Sequence, residues 1–264
     1  MSLFPSVEHK LYKLTFLVNT FTVLHFSERN DDNCGNDVRR SISEFLEDCY
    51  GSSNHHYPQS PISLTRQDQG VQFVYTKNSA SVRINRHAYH SFGASLLPES
   101  SKLRRFVFDV LGIEKVDRVD VRKVSIFPIK ISAEEFTTSS LRDYMGNILS
   151  DKILSLSTID EVGSVNGAVA PFTLHQMEDH DNGLRYDILI GMVKNPKLVD
   201  IYNVVLDSTC FSNPEGGISV NELERKQVGM NQSLYELFHW AVQDHVISFM
   251  EKGVDNGGQE GEKE

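Results

Sequence analysis

The chain has 264 residues, 39% of them apolar and 23% charged, with a formal net charge of −10. That length allows one large domain or two small ones, and the apolar share is enough for a real core. The acidic balance argues against a general nucleic-acid coat, which needs Lys and Arg to neutralise phosphate, and no run of 18 or more apolar residues is present to span a membrane.

The opening "MSLFPSVEHKLYKLTFLV" lacks a basic start, an apolar run and a small-residue cleavage site, so no secretory signal is expected. "KLTFLVNTFTVLHF" (10–26) is apolar and β-branched and reads as a strand. In "DVRRSISEFLEDCYG" the apolar residues Val38, Ile42, Phe45, Leu46 and Cys49 fall on one helical face, with Asn36 or Asp37 as cap and Gly51 as stop. "VQFVYT" and "ASVRIN" form a hairpin through "KNS". "SKLRRFVFDVLG" is a second amphipathic helix, ending at Gly112.

The strand "DRVDVRKVSIFPIK" (117–130) follows, then a short helix over "LRDYMGNIL". "DNG" (181–183) is a hairpin turn leading into "LRYDILIGMV", and "VDIYNVVLDSTCF" (199–211) is a further strand. The last helix spans "SLYELFHWAVQDHVISFMEKG". Ser233 and Glu236 have capping-box spacing, Gly253 ends it, and Leu234, Leu237, Phe238, Ala241, Val242, Val246, Phe249 and Met250 form its apolar stripe. His245 lies on that stripe and reads as partly buried; His239 lies off it.

Laid in order, these elements form two sets of strand, helix, three strands and helix. The fold class expected is α+β: two βαβββα-like halves with antiparallel sheets packed as one unit, and a long C-terminal helix. The halves span 1–112 and 113–252, and the Gly-rich, acidic stretch 253–264 reads as a disordered tail.

Several phrases resemble a sporadically distributed prokaryotic family of uncharacterised two-part α+β proteins. They are "SVRINRHAYHSF", the Arg-containing strand "DRVDVRKVSIF" with Arg118 and Arg122 at the two Arg positions, "IYNVVLDSTCF", and "SLYELFHWAVQDHVISFM" with His239 at the His position. This chain departs from the pattern at Asp120, Lys123 and Ser125, which stand where the family has Gly, Tyr and Asn. The resemblance implies a cytoplasmic prokaryotic protein and supplies no activity.

No phosphate-binding glycine loop, H-E-x-x-H, C-x-x-C or G-x-S-x-G motif occurs. Cys34, Cys49 and Cys210 are odd in number and scattered, which fits reduced thiols in a cytoplasmic protein. "HQMEDHD" (175–181) has a metal-compatible composition but reads as a solvated hairpin tip. His87 and His90 in "NRHAYH" read as local capping groups, and the carboxylate pairs such as Asp160-Glu161 as solvated. No catalytic residue, metal ligand or cofactor is therefore assigned.

Arg118, Asp120 and Arg122 share one strand face at spacing two, with Val119 and Val121 opposite, facing the core. They read either as a surface charge ladder or as a polar floor in a groove between the halves, and they are the binding residues proposed from sequence. Val124 and Ile126 have the same parity as the arginines, so beyond Lys123 the strand is expected to be covered on both sides or shifted by a bulge. Pro128, without a donor, is expected to end pairing or sit at an edge. The functional expectation is a soluble, non-catalytic binding or regulatory protein recognising another protein or itself. The alternatives are a small-ligand-binding protein or enzyme using an inter-half groove, and a nucleic-acid binder, which the charge disfavours.

Overall fold

The structure is a computed structural model and describes residues 3–10, 12, 14–27, 36–50, 62–66, 70–86, 95–132, 141–156 and 172–253. The first half comprises β1 (Leu17–His25), α1 (Asn36–Tyr50), β2 (Ile62–Arg66), β3 (Val71–Thr76), β4 (Ser79–Asn85) and α2 (Leu96–Arg105), which runs on into a π-helical turn over Phe106–Val110. A two-residue strand β5 (Lys115–Val116) leads into the long β6 (Arg118–Lys130). Two short helices follow, α3 (Leu141–Gly146) and α4 (Asp151–Leu154), then β7 (Thr173–Asp179), β8 (Leu184–Lys194) and β9 (Ile201–Ser212). After β10 (Ile218–Ser219) come α5 (Val220–Ala241) and α6 (Asp244–Lys252). His87, His90, Asp160, Glu161 and the tail beyond Gly253 lie outside the described residues.

The strands form one eight-stranded antiparallel sheet in the order β2-β3-β4-β1-β6-β9-β8-β7, and β5 and β10 form a separate pair. Each half contributes four strands in the same relative order, and the two sets meet where β1 pairs with β6. This is the α+β arrangement of two βαβββα-like halves. Helix α2 packs on β1 and β4, and α5 on β6 and β9, so both helices cover one face of the sheet. Among the described residues no helix is long and apolar enough to cross a membrane.

Aromatic packing closes each half. Phe45 on α1 and Phe73 on β3 meet Phe106 at 5.1 and 4.9 Å between ring centroids. In the second half Phe4 packs on Tyr186 of β8 and Trp240 of α5 at 5.2 and 5.5 Å. Phe4 belongs to the segment before β1, which crosses from its own half to the other.

Strand β6 alternates without interruption. Val119, Val121, Ser125 and Phe127 are buried on the helix side, while Arg122 and Pro128 are exposed on the other. The register shift expected in β6 is found in its partner: Leu17 faces Ser125 but Asn19 faces Val124, so β1 bulges at Val18 while β6 and β9 stay in register. Val124 and Ile126 are half-buried on the outer face. The Ile126 N–H points to the β1 side and donates to the Phe16 carbonyl at 3.0 Å. Pro128 has the same parity, so its donor-free nitrogen faces the side where β1 has already ended, and pairing with β9 continues through it.

Three expectations are corrected. The last helix begins at Val220, with its capping box at Ser219 and Glu222, so Ser233 and Glu236 lie inside it. The helix also breaks: Val242 is extended at φ −106°, ψ 145°, and α6 starts afresh. The break resets the helical phase, leaving His245 exposed and Phe249 45% exposed rather than on a continuous buried stripe. Finally, "HQMEDHD" is mostly strand, because β7 runs to Asp179 before the turn begins.

The break between α5 and α6 is held by hydrogen bonds to the α3–α4 link. Ser150 N–H donates to the Ala241 carbonyl at 2.8 Å and Gln243 N–H to that of Ile148 at 2.9 Å. The Gln243 amide donates to the Gly146 and Leu149 carbonyls, both at 3.1 Å. Gln243→Ala removes two of these bonds and is expected to cost about 1–2 kcal/mol in urea unfolding. A loss under about 0.5 kcal/mol would show that the backbone bonds suffice.

Candidate functional site

The three residues proposed from sequence lie together on the outer, helix-free face of the sheet. Arg118 donates through Nε and Nη2 to Asp120 at 2.5 and 3.0 Å, and its guanidinium lies 4.4 Å from the centre of the Phe211 ring. Asp120 also meets His25 Nε2 at 3.1 Å. Arg122 donates through Nε and Nη2 to Asp207 on β9 at 2.8 and 2.5 Å. That carboxylate raises the Arg122 pKa further above its ordinary value. Arg122 and Arg83 both lie over Phe21, at 5.2 and 5.3 Å. The forks of Arg118 and Arg122 are thus occupied by carboxylates of the chain itself, within β6 for Arg118 and across to β9 for Arg122, and the arrangement is a charge ladder.

A cavity lies on the opposite face. It has a volume of about 400 Å³ and opens between the sheet and α5, where the two halves join. Its floor is Thr20 on β1, Lys123 and Ser125 on β6, and Leu206 and Ser208 on β9. Asn231, Leu234, Tyr235 and Phe238 of α5 form the roof. Ser95, Leu96 and Leu97, at the start of α2, close one side. His9, Lys10, Tyr12 and Thr15, in the segment before β1, close another.

The floor is polar where the inner face of a sheet is expected to be apolar. Strand register places Thr20 and Ser208 directly opposite Lys123, one on each side, with Ile84 and Ile188 beyond them. Ser125 sits one step along the same face, between Leu17 and Leu206. The Lys123 ammonium donates to the Asn231 carbonyl at 3.3 Å, and no carboxylate pairs with it among the described residues. Burial lowers its pKa from 10.5 to about 8, so it remains largely protonated at pH 7. The Ser208 hydroxyl, on a residue 5% exposed, has no hydrogen-bond partner among the described residues.

The rim is a hydrogen-bond chain that fastens the N-terminal segment to α5. Lys10 N–H donates to the Tyr235 oxygen at 3.1 Å, Tyr235 and Tyr12 share a hydrogen bond of 3.1 Å, and Tyr12 bonds His239 Nε2. Burial lowers the His239 pKa, which favours the neutral imidazole in its contact with the phenol. Burial likewise raises the pKa of Tyr12, which keeps its proton. Lys10 Nζ pairs with Glu251 of α6 at 3.1 Å on the exposed side.

Sequence reasoning missed Lys123 as a site residue, although a signal was present: it shares parity with Val119 and Val121, on the apolar face. Thr20 and Ser208 carry no such signal, because only the register of three strands sets them beside it. His239 was singled out through the resemblance, and its partner Tyr12 was not. Among the described residues no group of three or more His, Cys, Asp or Glu side chains is placed to hold a metal.

No family model and no curated protein matches the chain. Among solved structures, a chain described as "KH domains" matches at 8% identity over 88% of this chain and 64% of its own length, with a TM-score of 0.18. A superposition that loose carries no statement about fold or function.

Three substitutions separate the faces. Lys123→Met removes a half-buried charge that no carboxylate pairs with among the described residues and is expected to stabilise the protein by roughly 1–3 kcal/mol at pH 7. Between the folded pKa of about 8 and the ordinary 10.5, the unfolded chain holds more protons than the folded one. Wild-type stability therefore rises with pH across that window, and the advantage of Lys123→Met shrinks there. Urea unfolding at pH 7 and 10 checks both statements, and destabilisation at pH 7 contradicts them. On the outer face, Arg122→Ala strands the Asp207 carboxylate, which is 8% exposed, and is expected to cost about 1–3 kcal/mol. Arg118→Ala, whose partner sits on the same strand, should cost about 1 kcal/mol or less in the same measurement.

Proposed function

We propose that the protein binds a small molecule in the chamber at the junction of its two halves and acts as a non-catalytic, ligand-responsive regulatory protein. The observation that carries this reading is the chamber's composition. Leu17, Leu206, Leu234, Phe238 and Met250 supply apolar walls, and a few polar groups converge on the floor, as in small-molecule sites of about 300–1,000 Å³. Its described lining includes no carboxylate and no thiol, and Lys123 stays largely protonated at pH 7, which favours binding of an anion over attack by the amine. The outer face supports protein or nucleic-acid recognition less well, because its arginines are engaged by carboxylates and aromatic rings. A cytoplasmic location, drawn from the scattered cysteines, is part of the proposal.

The test uses N-phenyl-1-naphthylamine, a neutral dye that brightens in apolar cavities. Saturable binding of one dye per chain is expected, and Ser125→Leu, which fills the floor, should weaken it by about tenfold or more, some 1.4 kcal/mol. Circular dichroism verifies that the variant is folded. Absence of saturable binding, or an unchanged affinity in a folded Ser125→Leu variant, overturns the chamber reading.

A further inference from the structure

We infer that the chamber's ligand is an amphipathic monocarboxylate, its acid group seated on Thr20, Lys123, Ser125 and Ser208 and its apolar tail against Leu234 and Phe238. This inference rests on the chamber reading above and names the class of molecule that fills it.

The floor offers donors and one positive charge. Directly opposed residues on neighbouring antiparallel strands have Cβ atoms about 4.5–5.5 Å apart, so the row from Thr20 through Lys123 to Ser208 brings an ammonium and two hydroxyls towards one point. An ammonium has three donors, and the structure directs one of them at the Asn231 carbonyl. The Ser208 hydroxyl is an independent pointer: it is buried on the chamber floor without a partner among the described residues, and buried polar groups are ordinarily hydrogen-bonded. A carboxylate oxygen supplies an acceptor for that hydroxyl and for the remaining donors of the ammonium.

Charge sets the identity of the head group. Lys123 is the floor's single cation. Lys10 stands at the rim with its ammonium paired to Glu251, and burial and the nearby Lys123 charge lower the pKa of His9. One negative charge balances Lys123, whereas a phosphate monoester carries about −1.5 to −2 and would leave buried charge uncompensated. The apolar walls leave room for a hydrocarbon tail and offer nothing to a second charge.

The full chain is titrated calorimetrically with octanoate, octan-1-ol and octyl phosphate, which share a tail and differ in head group. Octanoate should bind one per chain, about tenfold or more tighter than octan-1-ol and tighter than octyl phosphate. In Lys123→Met the advantage of the acid over the alcohol should fall to about twofold or less. Ser208→Ala, which leaves the charge in place, should weaken octanoate several-fold. Equal affinity for acid and alcohol, or an advantage that survives Lys123→Met, overturns the carboxylate assignment while dye binding leaves the chamber reading intact. Tighter binding of octyl phosphate overturns it in favour of a phosphate head group. No octanoate binding also overturns it, and failure of the dye as well removes the chamber reading with it.

Discussion

The pairing of β1 with β6 is the constraint on which everything else depends. It joins two four-stranded sheets into one and covers two edges that would otherwise present unpaired N–H and C=O groups. It also fixes which residues of one half face which residues of the other. Thr20 stands opposite Lys123 only because this register holds from Asn19 to His25. A one-residue slip would turn Lys123 toward another partner, and rotating the strand would exchange its face with that of Arg122. The bulge at Val18 lets β1 leave the sheet after the register has been set, and the segment before it then turns over the second half.

Lys123 is where structure and stability disagree. The inner face of the sheet buries Val119, Val121 and Phe127 around it, and an aliphatic side chain at the same position would complete that surface. Instead the chain keeps a charge there, with hydroxyls on the adjoining strands. The loss is offset elsewhere, by the Phe45, Phe73 and Phe106 cluster in one half and the Phe4, Tyr186 and Trp240 packing in the other. Local rules broken inside an otherwise consistent fold are the signature of a site rather than of a defect. The contrast with the outer face is instructive. Arg118 and Arg122 are the more conspicuous charges in the sequence, yet they lie among their own carboxylates and rings.

The fold was legible because its elements carry strong periodic signals. Strand alternation located β3, β4, β8 and β9, Asn182-Gly183 located a hairpin, and the order of elements gave the two halves. The start of α5 was not legible. "SVNE" at 219–222 and "SLYE" at 233–236 have the same capping spacing, and the polar first half of α5, with Gly229 inside it, weakens the helical stripe that would have decided between them. The break at Val242 was hidden because its cause is tertiary: carbonyls of a distant link take the hydrogen bonds that a continuing helix would have made. The site was half legible. The parity of Lys123 can be read from β6 alone, but its neighbours require a register that no local pattern encodes, and the Tyr12–His239 contact joins residues 227 positions apart.

That last separation bears on how the chain reaches its native state. The first half can assemble its aromatic cluster from residues of one stretch of sequence, whereas the segment before β1 binds Tyr235, His239 and Glu251, which lie 225, 227 and 241 positions from their partners. That segment is therefore secured only once those distant residues are in place. Contacts of such long range close slowly, since the entropy of the intervening chain is lost before they form. That wall of the chamber is thus set in place late in folding, after a stage in which the sheet is built and the chamber still stands open on that side.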